Sequence, residues 1–419
     1  MKILLFLFLV CYCSISMAQE SLKTADEYFR KQDYEKALQH LQIILANPDQ
    51  LKGDERSFAY MLKAKTHLNL IDRAVKNNET KNTEKYKDAY FLAYQDLIEA
   101  RKFVLGESAK KECESLGNYL NRIIKNLGAA ILNKIYSNNA MQASAKNAAL
   151  DEAQKYMMAS IGLNPSDYSA YDLYGQVMML KKADDDAILN FEKSIKCFEG
   201  TKHSATDFSH FRVYGNMAII QLKRNKGAEA INTIQNGKIS LDKYSQTTTK
   251  KDSLSKKEYS EMKTLLDNIE NEIYLNSPDL AQKAIEKFKS QSNANPADFM
   301  ARFSLAQIYE QQKMTTEAAA EYESVLKMDS TNRLAAFNLG ALFLNEALEL
   351  EVKIAQDEKL KSKFSNLLLR SEALLKKALG PEEKDTDCID ALLKIYGRLQ
   401  KKEEYQYYRN LKTSLLQSK

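Results

Sequence analysis

The sequence contains no tryptophan, only 5 prolines and only 13 glycines among 419 residues. Proline and glycine interrupt regular structure, and Ala, Leu, Lys and Glu are abundant instead, so the composition predicts a long, almost entirely helical chain. The lack of tryptophan removes the side chain that a glycan-binding surface would favour for stacking on sugars. The composition therefore predicts an all-α protein and disfavours a carbohydrate-binding one.

Cysteine is scarce and irregularly placed. Two of the 5 cysteines lie in the apolar N-terminal segment, and the remaining three are far apart, without CxxC spacing: Cys113, Cys197 and Cys388. An odd number of distant cysteines does not form a disulfide framework, so we expect buried or half-buried free thiols.

Motifs for catalysis and cofactor binding are also missing. The sequence has no P-loop, GxGxxG, HExxH or GxSxG pattern. Asp184-Asp185-Asp186 lacks the glycine and distal glutamate of a calcium loop and opens a predicted helix, where the helix dipole favours acids. His203 and His210 would need further ligands to bind a metal, so surface histidines are the favoured interpretation. The sequence predicts no enzyme, no cofactor and no metal.

Acidic and basic residues are interspersed, and the net charge is only +5. Such a pattern is typical of a solvated surface and not of a nucleic-acid-binding protein.

The N-terminus resembles an export signal. Lys2 precedes an apolar run from Ile3 to about Cys13, and Ser16-Met17-Ala18 supplies small residues for cleavage. The run is too short to span a bilayer, and no later segment is long enough. The alternative is a buried N-terminal helix; a lipid anchor is disfavoured because no small residue precedes either early cysteine. We predict a signal peptide at 1–18 and an exported product that is periplasmic, envelope-associated or secreted.

A repeated helix pair organises the rest of the chain. Two amphipathic patterns within Phe299–Ser330 meet at a polar break near Lys313–Thr316. Small and aromatic residues recur at a spacing of 34: Ala284 and Ala318, Phe288 and Tyr322, Ala153 and Ala187, Met157 and Phe191. Two helices of this size cannot bury their apolar faces alone, so the pairs must stack on one another.

Further pairs are predicted from about Ser21 to the C-terminus, the last capping the stack. In the second and third pairs, longer helices best explain the polar inserts NNETKNTEKYKD and SNNAMQASAKNAAL, and disordered loops are the alternative. The stretch DKYSQTTTKKDS at 242–253 is the most linker-like and divides a helical segment at 19–241 from another at 254–419.

These features resemble the tetratricopeptide repeat family, in which small and aromatic residues occupy fixed places in two helices. The matching residues are Leu305-Ala306, Tyr309, Ala318, Tyr322 and Val325; Tyr171, Tyr174-Gly175, Ala187 and Phe191; and Leu339-Gly340 and Phe343. The resemblance implies a right-handed α-solenoid of antiparallel helix pairs. An Ala-Gln export signal combined with long-helix inserts is similar to exported repeat proteins of Bacteroidetes bacteria.

The resemblance also implies protein binding. In the family the first helix of each pair lines a concave groove for a partner peptide or helix. The corresponding positions are Met300, Phe303, Gln307, Glu310, Leu334, Phe337 and Asn338. Arg212 and Asn216 occupy places where some members grip a C-terminal carboxylate, although the rest of that clamp is not recognisable here. For each residue taken singly, an ordinary packing or polar role is the alternative.

Three functions are compatible with these observations. The favoured one is a non-enzymatic interaction scaffold of the cell envelope with a protein or peptide partner. The second is a helical protein that binds glycans or belongs to an outer-membrane complex, and the third is an enzyme with an unrecognised site.

Overall fold

The computed structural model describes residues 2–104, 106–138, 140–200, 207–248, 253–354 and 357–417, with side chains from Ser16 onward. Within these residues the regular elements are nineteen α-helices and three short 3₁₀ turns, without a strand. The first ten helices are α1 (Lys2–Arg30), α2 (Tyr34–Leu45), α3 (Gly53–Lys76), α4 (Thr80–Lys85), α5 (Ala89–Arg101), α6 (Glu107–Ser137), α7 (Ala143–Leu163), α8 (Tyr168–Leu180), α9 (Asp184–Glu199) and α10 (Arg212–Lys223). The remainder are α11 (Gly227–Thr248), α12 (Ser253–Asn276), α13 (Ala281–Ala294), α14 (Phe299–Gln311), α15 (Thr315–Met328), α16 (Arg333–Ile354), α17 (Leu360–Leu379), α18 (Thr386–Leu399) and α19 (Lys402–Gln417).

Aspartates fix the starts of several helices. The Asp167 carboxylate accepts hydrogen bonds from the backbone N–H groups of Ser169 and Ala170 at the start of α8, and Asp298 accepts one from Ala301 in α14. Asp33 and Asp385 cap α2 and α18 in the same way. Each carboxylate satisfies an N–H group that has no partner inside the helix, so these residues set where a new helix begins.

The turn inside the helix pairs follows one repeated geometry. A single non-glycine residue adopts the left-handed conformation with φ between 57° and 61° in five of the connecting turns: Gln32, Lys182, Asn225, Lys313 and Gln400. This turn reverses the chain within a few residues, so the second helix of a pair can pack back on the first.

The chain divides into two compact units. Unit 1 comprises Met1–Ile220 with Thr247–Glu258, and unit 2 comprises Gln221–Gln246 with Tyr259–Lys419. In unit 1, consecutive helices from α1 to α9 pack on one another, with α3 contacting α5 directly; in unit 2 the same holds from α13 to α19. First helices also contact the next first helix, as α6 contacts α8 and α16 contacts α18. Each unit is thus a stack of helix pairs, and the predicted all-α solenoid class is confirmed.

Small residues let the two helices of a pair approach closely. A Cβ atom on Gly175 of α8 would lie 2.5 Å from the ring of Phe191 in α9. Likewise, a Cβ on Gly340 of α16 would lie 2.9 Å from Cγ of Leu375 in α17. Phe191 and Leu375 are fully buried. A large apolar residue of the second helix therefore packs directly against the small residue of the first helix.

Long helices account for the polar insert of the third pair, as the sequence predicts, but not for that of the second pair. α6 has 31 residues and α7 has 21, so the third-pair insert contributes little more than the turn between them. The insert of the second pair follows the 24-residue α3 and folds into turns around the short α4.

Three expectations need correction or lie outside the described residues. The predicted linker at 242–253 is largely wrong, because Asp242–Thr248 form the end of α11 and Ser253 begins α12, while 249–252 are not described. His210 is not a surface residue: it is 2% exposed and its ring stacks on Phe198 at 4.0 Å. His203 and the side chains of the two early cysteines lie outside the described residues.

At the N-terminus, Ala18 and Leu22 are buried in a core cluster with residues of α2 and α3. Cys113 and Cys388 are buried free thiols.

Candidate functional site

Seven of the nine candidate residues form one exposed stripe in unit 2. Met300 of α14 and Leu334 of α16 are 58% and 67% exposed, while the other five members are partly exposed. We call this stripe the unit 2 face: Met300, Phe303, Gln307, Glu310, Leu334, Phe337 and Asn338. The opposite sides of α14 and α16 are buried in the core, so the stripe lies on the sides of these helices that face away from it.

Tyr322 of α15 contacts residues of the unit 2 face on both α14 and α16. Its hydroxyl donates a hydrogen bond to Oε2 of Glu310 at 2.8 Å and accepts one from Nδ2 of Asn338 at 3.2 Å. The Phe303 ring meets the Tyr322 ring edge-on, with centroids 5.7 Å apart. Burial, together with the Glu310 carboxylate, raises the pKa of Tyr322, so the phenol remains a donor. One buried side chain thereby orients residues from two neighbouring first helices.

The unit 2 face is polarised along α14, where Met300 and Phe303 lie near the N-terminal end and Gln307 and Glu310 follow about one and two turns after Phe303. In α16, Asn338 directly follows Phe337, one turn after Leu334. An apolar stripe bordered by amide and carboxylate groups suits an amphipathic helix. The apolar side chains of such a helix pack on the apolar stripe, and its polar edge forms hydrogen bonds with the bordering groups.

Arg212 and Asn216 belong to unit 1, on α10. Arg212 is exposed and Asn216 is partly exposed. The start of α10 is fixed against α8 and α9, because the ring of Tyr168 packs edge-on against His210 at 5.2 Å and the Tyr168 hydroxyl donates to Asp207 Oδ2 at 2.8 Å. These two residues thus belong to unit 1, whereas the other seven candidates belong to unit 2.

Polar residues near Arg212 were missed in the sequence. Asp172 and Gln176 of α8 lie on the side of that helix toward Arg212, and Tyr136 of α6 joins them. The signal was available in the repeat register, since Asp172 precedes Gly175 by the same three positions by which Arg212 precedes Gly215.

A second buried polar cluster joins α3 and α5 in unit 1. Lys63 Nζ lies 2.8 Å from Asp96 Oδ1, and His67 Nε2 lies 3.5 Å from Asp96 Oδ2. Desolvation raises the pKa of Asp96 to about 6 despite the nearby Lys63, and lowers the pKa of His67 to about 4. His67 is therefore neutral near pH 7, and the cluster is a structural ion pair buried between two helices.

A cleft of about 590 Å³ lies elsewhere in unit 2, between α15 and the C-terminal half of α16. Its charged lining is engaged internally: Arg370 pairs with Glu323 at 2.8 Å and covers the Phe343 ring at 4.0 Å, and Lys363 pairs with Glu346 at 2.8 Å. These ion pairs belong to the packing of the long α16–α17 pair.

Two further features are absent from the described residues. No helix in this part of the chain combines the length and apolar character needed to cross a bilayer. The same residues contain no group of three or more His, Cys, Asp or Glu arranged to hold a metal ion.

Comparison with known families assigns the repeat. The family model for the tetratricopeptide repeat matches residues 266–346, which contain α13 to α15 and parts of α12 and α16. Residues 266–346 are thus a tetratricopeptide repeat segment. The matched segment contains Phe299–Ser330 and the whole unit 2 face. Repeats of this kind are protein-interaction scaffolds, so the family supports that general role.

Human protein O-mannosyl-transferase TMTC3 is 22% identical over 363 residues, an alignment that covers 82% of this chain and 34% of TMTC3. The chain thus spans about a third of the length of that relative.

Similar solved structures include tetratricopeptide repeat proteins with low sequence identity. The P58(IPK) TPR domain is 12% identical with a TM-score of 0.27, covering 92% of this chain and 99% of that one. The C-terminal part of a TPR repeat-containing protein from Cytophaga hutchinsonii is 12% identical with a TM-score of 0.26, covering 88% and 99%. YrrB, described as a TPR protein with an unusual peptide-binding site, is 14% identical with a TM-score of 0.24, covering 62% and 97%. Scores this low establish no correspondence between individual residues.

Proposed function

We propose that this protein is a non-enzymatic scaffold of the cell envelope that binds a partner peptide or helix on the unit 2 face. The observation that supports this most directly is the exposure of Met300 and Leu334 beside Phe303 and Phe337, on helices that the family uses for protein interaction. Soluble proteins rarely leave a contiguous apolar stripe uncovered unless something binds it.

An amphipathic helix is the partner that best fits this surface. Its apolar side chains would pack on the four large apolar residues, while its polar edge would meet Gln307, Glu310 and Asn338. The Tyr322 hydrogen bonds hold Glu310 and Asn338 in place before binding, which reduces the entropy lost when the complex forms.

The test compares two charge substitutions in unit 2. Phe303→Glu places a carboxylate in the stripe, whereas Leu369→Glu places one on α17 at a residue that is 50% exposed and outside the face. Proteins captured from an envelope fraction by the wild type are identified, purified and assayed for direct binding. We expect Phe303→Glu to lose binding and Leu369→Glu to retain it, with equal helicity by circular dichroism. Equal binding by both folded variants would place the interaction on another surface.

Export is part of the proposal. The basic residue, short apolar run and small residues around Ala18 support cleavage there, and cleavage would leave Gln19 at the start of the mature chain. Gln19 Nε2 donates to Glu55 Oε1 at 2.7 Å, so the shortened α1 would keep a link to α3. Mass spectrometry of the protein expressed with a secretion pathway tests this, and an intact N-terminus in the envelope fraction would reject it.

A further inference from the structure

Unit 1 carries charged residues at the repeat position where unit 2 carries phenylalanines. Phe303 and Phe337 each lie three residues before the small residue of a first helix. The same position is occupied by Lys125 in α6, Asp172 in α8 and Arg212 in α10. In unit 1, α6, α8 and α10 therefore present charged residues where α14 and α16 of unit 2 present apolar ones.

Asp172 sits at the centre of a hydrogen-bonded chain that crosses two first helices. Gln176 Nε2 donates to Asp172 Oδ1 at 3.0 Å, and the Tyr136 hydroxyl of α6 donates to Gln176 Oε1 at 3.4 Å. Arg212 of α10 and Asp207 before it also act on Asp172 electrostatically, with opposite signs. We call Tyr136, Asp172, Gln176 and Arg212 the Asp172 cluster.

The neighbouring position in α6 is already occupied by an internal ion pair. Lys125 Nζ lies 2.8 Å from Asp167 Oδ2 and donates to Ser169 Oγ at 2.7 Å. Asp167 also caps α8. Lys125 is thus used to hold α6 against α8 and is not available to neutralise Asp172.

Asp172 retains unused acceptor capacity. A carboxylate can accept about four hydrogen bonds. Among the described residues Gln176 is its hydrogen-bond partner, and neither Asp172 nor Arg212 forms an ion pair with any of them. Asp172 is still partly exposed, yet desolvation raises its pKa to about 6. The carboxylate is thus poorly hydrated in a residue that is not fully buried, and an incoming cation would replace the missing water.

We propose that the Asp172 cluster is a binding site for a basic side chain, Lys or Arg, of a partner peptide, with Gln176 and Tyr136 positioning the Asp172 carboxylate. This rests on the proposed function as an interaction scaffold but uses unit 1 and not the unit 2 face. Arg212 favours a peptide that also carries an acidic group near that base. A divalent metal ion would need several more oxygen ligands than this cluster offers.

The proposal predicts that binding depends on pH. Four groups face Asp172: Gln176 on its own helix, Tyr136 from α6, and Asp207 and Arg212 from the segment that starts α10. The pKa of Tyr136 is raised above its ordinary value, so Asp172 is the member expected to titrate below pH 7. Because only the ionised carboxylate attracts a cation, affinity should rise about tenfold between pH 5 and pH 7.

The experiment uses the full chain and a display library of random peptides. The library is first depleted on Asp172→Asn, which keeps the shape of the side chain and removes its charge. It is then selected on the wild type. We expect enrichment of peptides with a fixed basic residue, which bind the wild type at least about tenfold more tightly than Asp172→Asn, with the pH dependence above. Circular dichroism and the thermal midpoint verify that the variant is folded.

Asp151→Asn is the matched control, because Asp151 is 69% exposed and pairs with Lys181 on the surface of unit 1. This variant loses the same charge and should bind the selected peptides as the wild type does. A pool that is empty after depletion, or selected peptides without a basic residue, would overturn the proposal. Selection without depletion, followed by a test against Phe303→Glu, examines the unit 2 face separately. If the depleted selection yields no peptide while this selection yields peptides that depend on Phe303 but not on Asp172, the unit 1 site is rejected and the unit 2 face is retained.

Discussion

At the scale of single residues, the connecting turns contain backbone strain that a glycine would relieve. Lys182 has φ of 60° between α8 and α9, a conformation that costs an L-residue about 1–2 kcal/mol and costs glycine almost nothing. We expect Lys182→Gly to stabilise the protein by about 0.5 kcal/mol, since the extra entropy of glycine in the unfolded chain offsets part of the gain. Lys193→Gly, on the exposed side of α9, should instead destabilise by about 1 kcal/mol. Chemical denaturation measures both, and a loss of stability in Lys182→Gly would contradict the strain.

Glycine is the better residue where a first helix packs closely on a second helix, so replacing it there should destabilise the protein. Gly175→Ala gains about 1 kcal/mol of helix propensity, but its Cβ would overlap the fully buried Phe191 ring. Overpacking of this kind costs about 1–3 kcal/mol, so we expect a net loss of stability. Gly397→Ala in α18 is the control, because its Cβ would meet only Tyr405 at 3.9 Å and the variant should be more stable. Equal thermal midpoints for the two variants would show that the side chains around Gly175 rearrange to accommodate the added methyl group at little cost.

These residues also show what sequence alone could and could not predict. The small residues Gly175 and Gly340 and the large residue Phe191 could be predicted, because close helix packing restricts residue type. The left-handed Lys182 could not, because lysine is not a residue that marks such a turn. The burial of His210 was missed since it depends on rings from α8 and α9 that are distant in sequence.

At the scale of helices, the α3–α5 contact contains the buried Lys63–Asp96 pair. We expect Lys63→Met to destabilise the protein by about 2–3 kcal/mol near pH 7.5, because it leaves the Asp96 carboxylate buried without a counter-charge. Desolvation holds the folded-state pKa of Asp96 above its unfolded value, so protonation favours the folded state as pH falls through that value.

The difference between Lys63→Met and the wild type should therefore shrink between pH 7.5 and pH 5. Titration of His67, whose folded-state pKa is lowered, destabilises both proteins below pH 6.5, and the comparison at each pH removes most of that contribution. Denaturation of both proteins across this range measures the effect. The double variant with Asp96→Asn should be more stable than Lys63→Met near pH 7.5. A pH-independent difference would mean that lost packing, and not the uncompensated charge, is responsible.

The pairing of helices was predictable, while the boundaries in polar stretches were less so. The long α6 and α7 follow from apolar residues that keep helical spacing on both sides of a polar insert. The segment 242–248 was misread as a linker because its polar residues have no apolar stripe, yet Tyr244 anchors it in α11 at 8% exposure. Polar helices of this kind are stabilised by one or two buried residues, which a composition-based reading does not detect.

At the scale of the whole molecule, the two units present first helices of different chemistry. The unit 2 face was predicted residue by residue, because the family pattern points to it. The Asp172 cluster was not, although Arg212 was, since nothing in α6 or α8 alone shows that Tyr136, Gln176 and Asp172 converge. One chain thus offers an apolar surface and an ionic surface on equivalent positions of its repeats.

High salt should weaken peptide binding to the Asp172 cluster much more than peptide binding to the unit 2 face. Peptides that depend on Phe303 bury apolar area, so their affinity should stay within about twofold when ionic strength rises from about 0.1 to about 1 M. Peptides that depend on Asp172 rely on attraction between charges, which the shorter Debye length at high salt weakens, so they should lose affinity about five- to tenfold. Fluorescence anisotropy with each labelled peptide measures both. Asp172-dependent binding that is insensitive to salt would show that packing, and not the carboxylate charge, recognises the peptide.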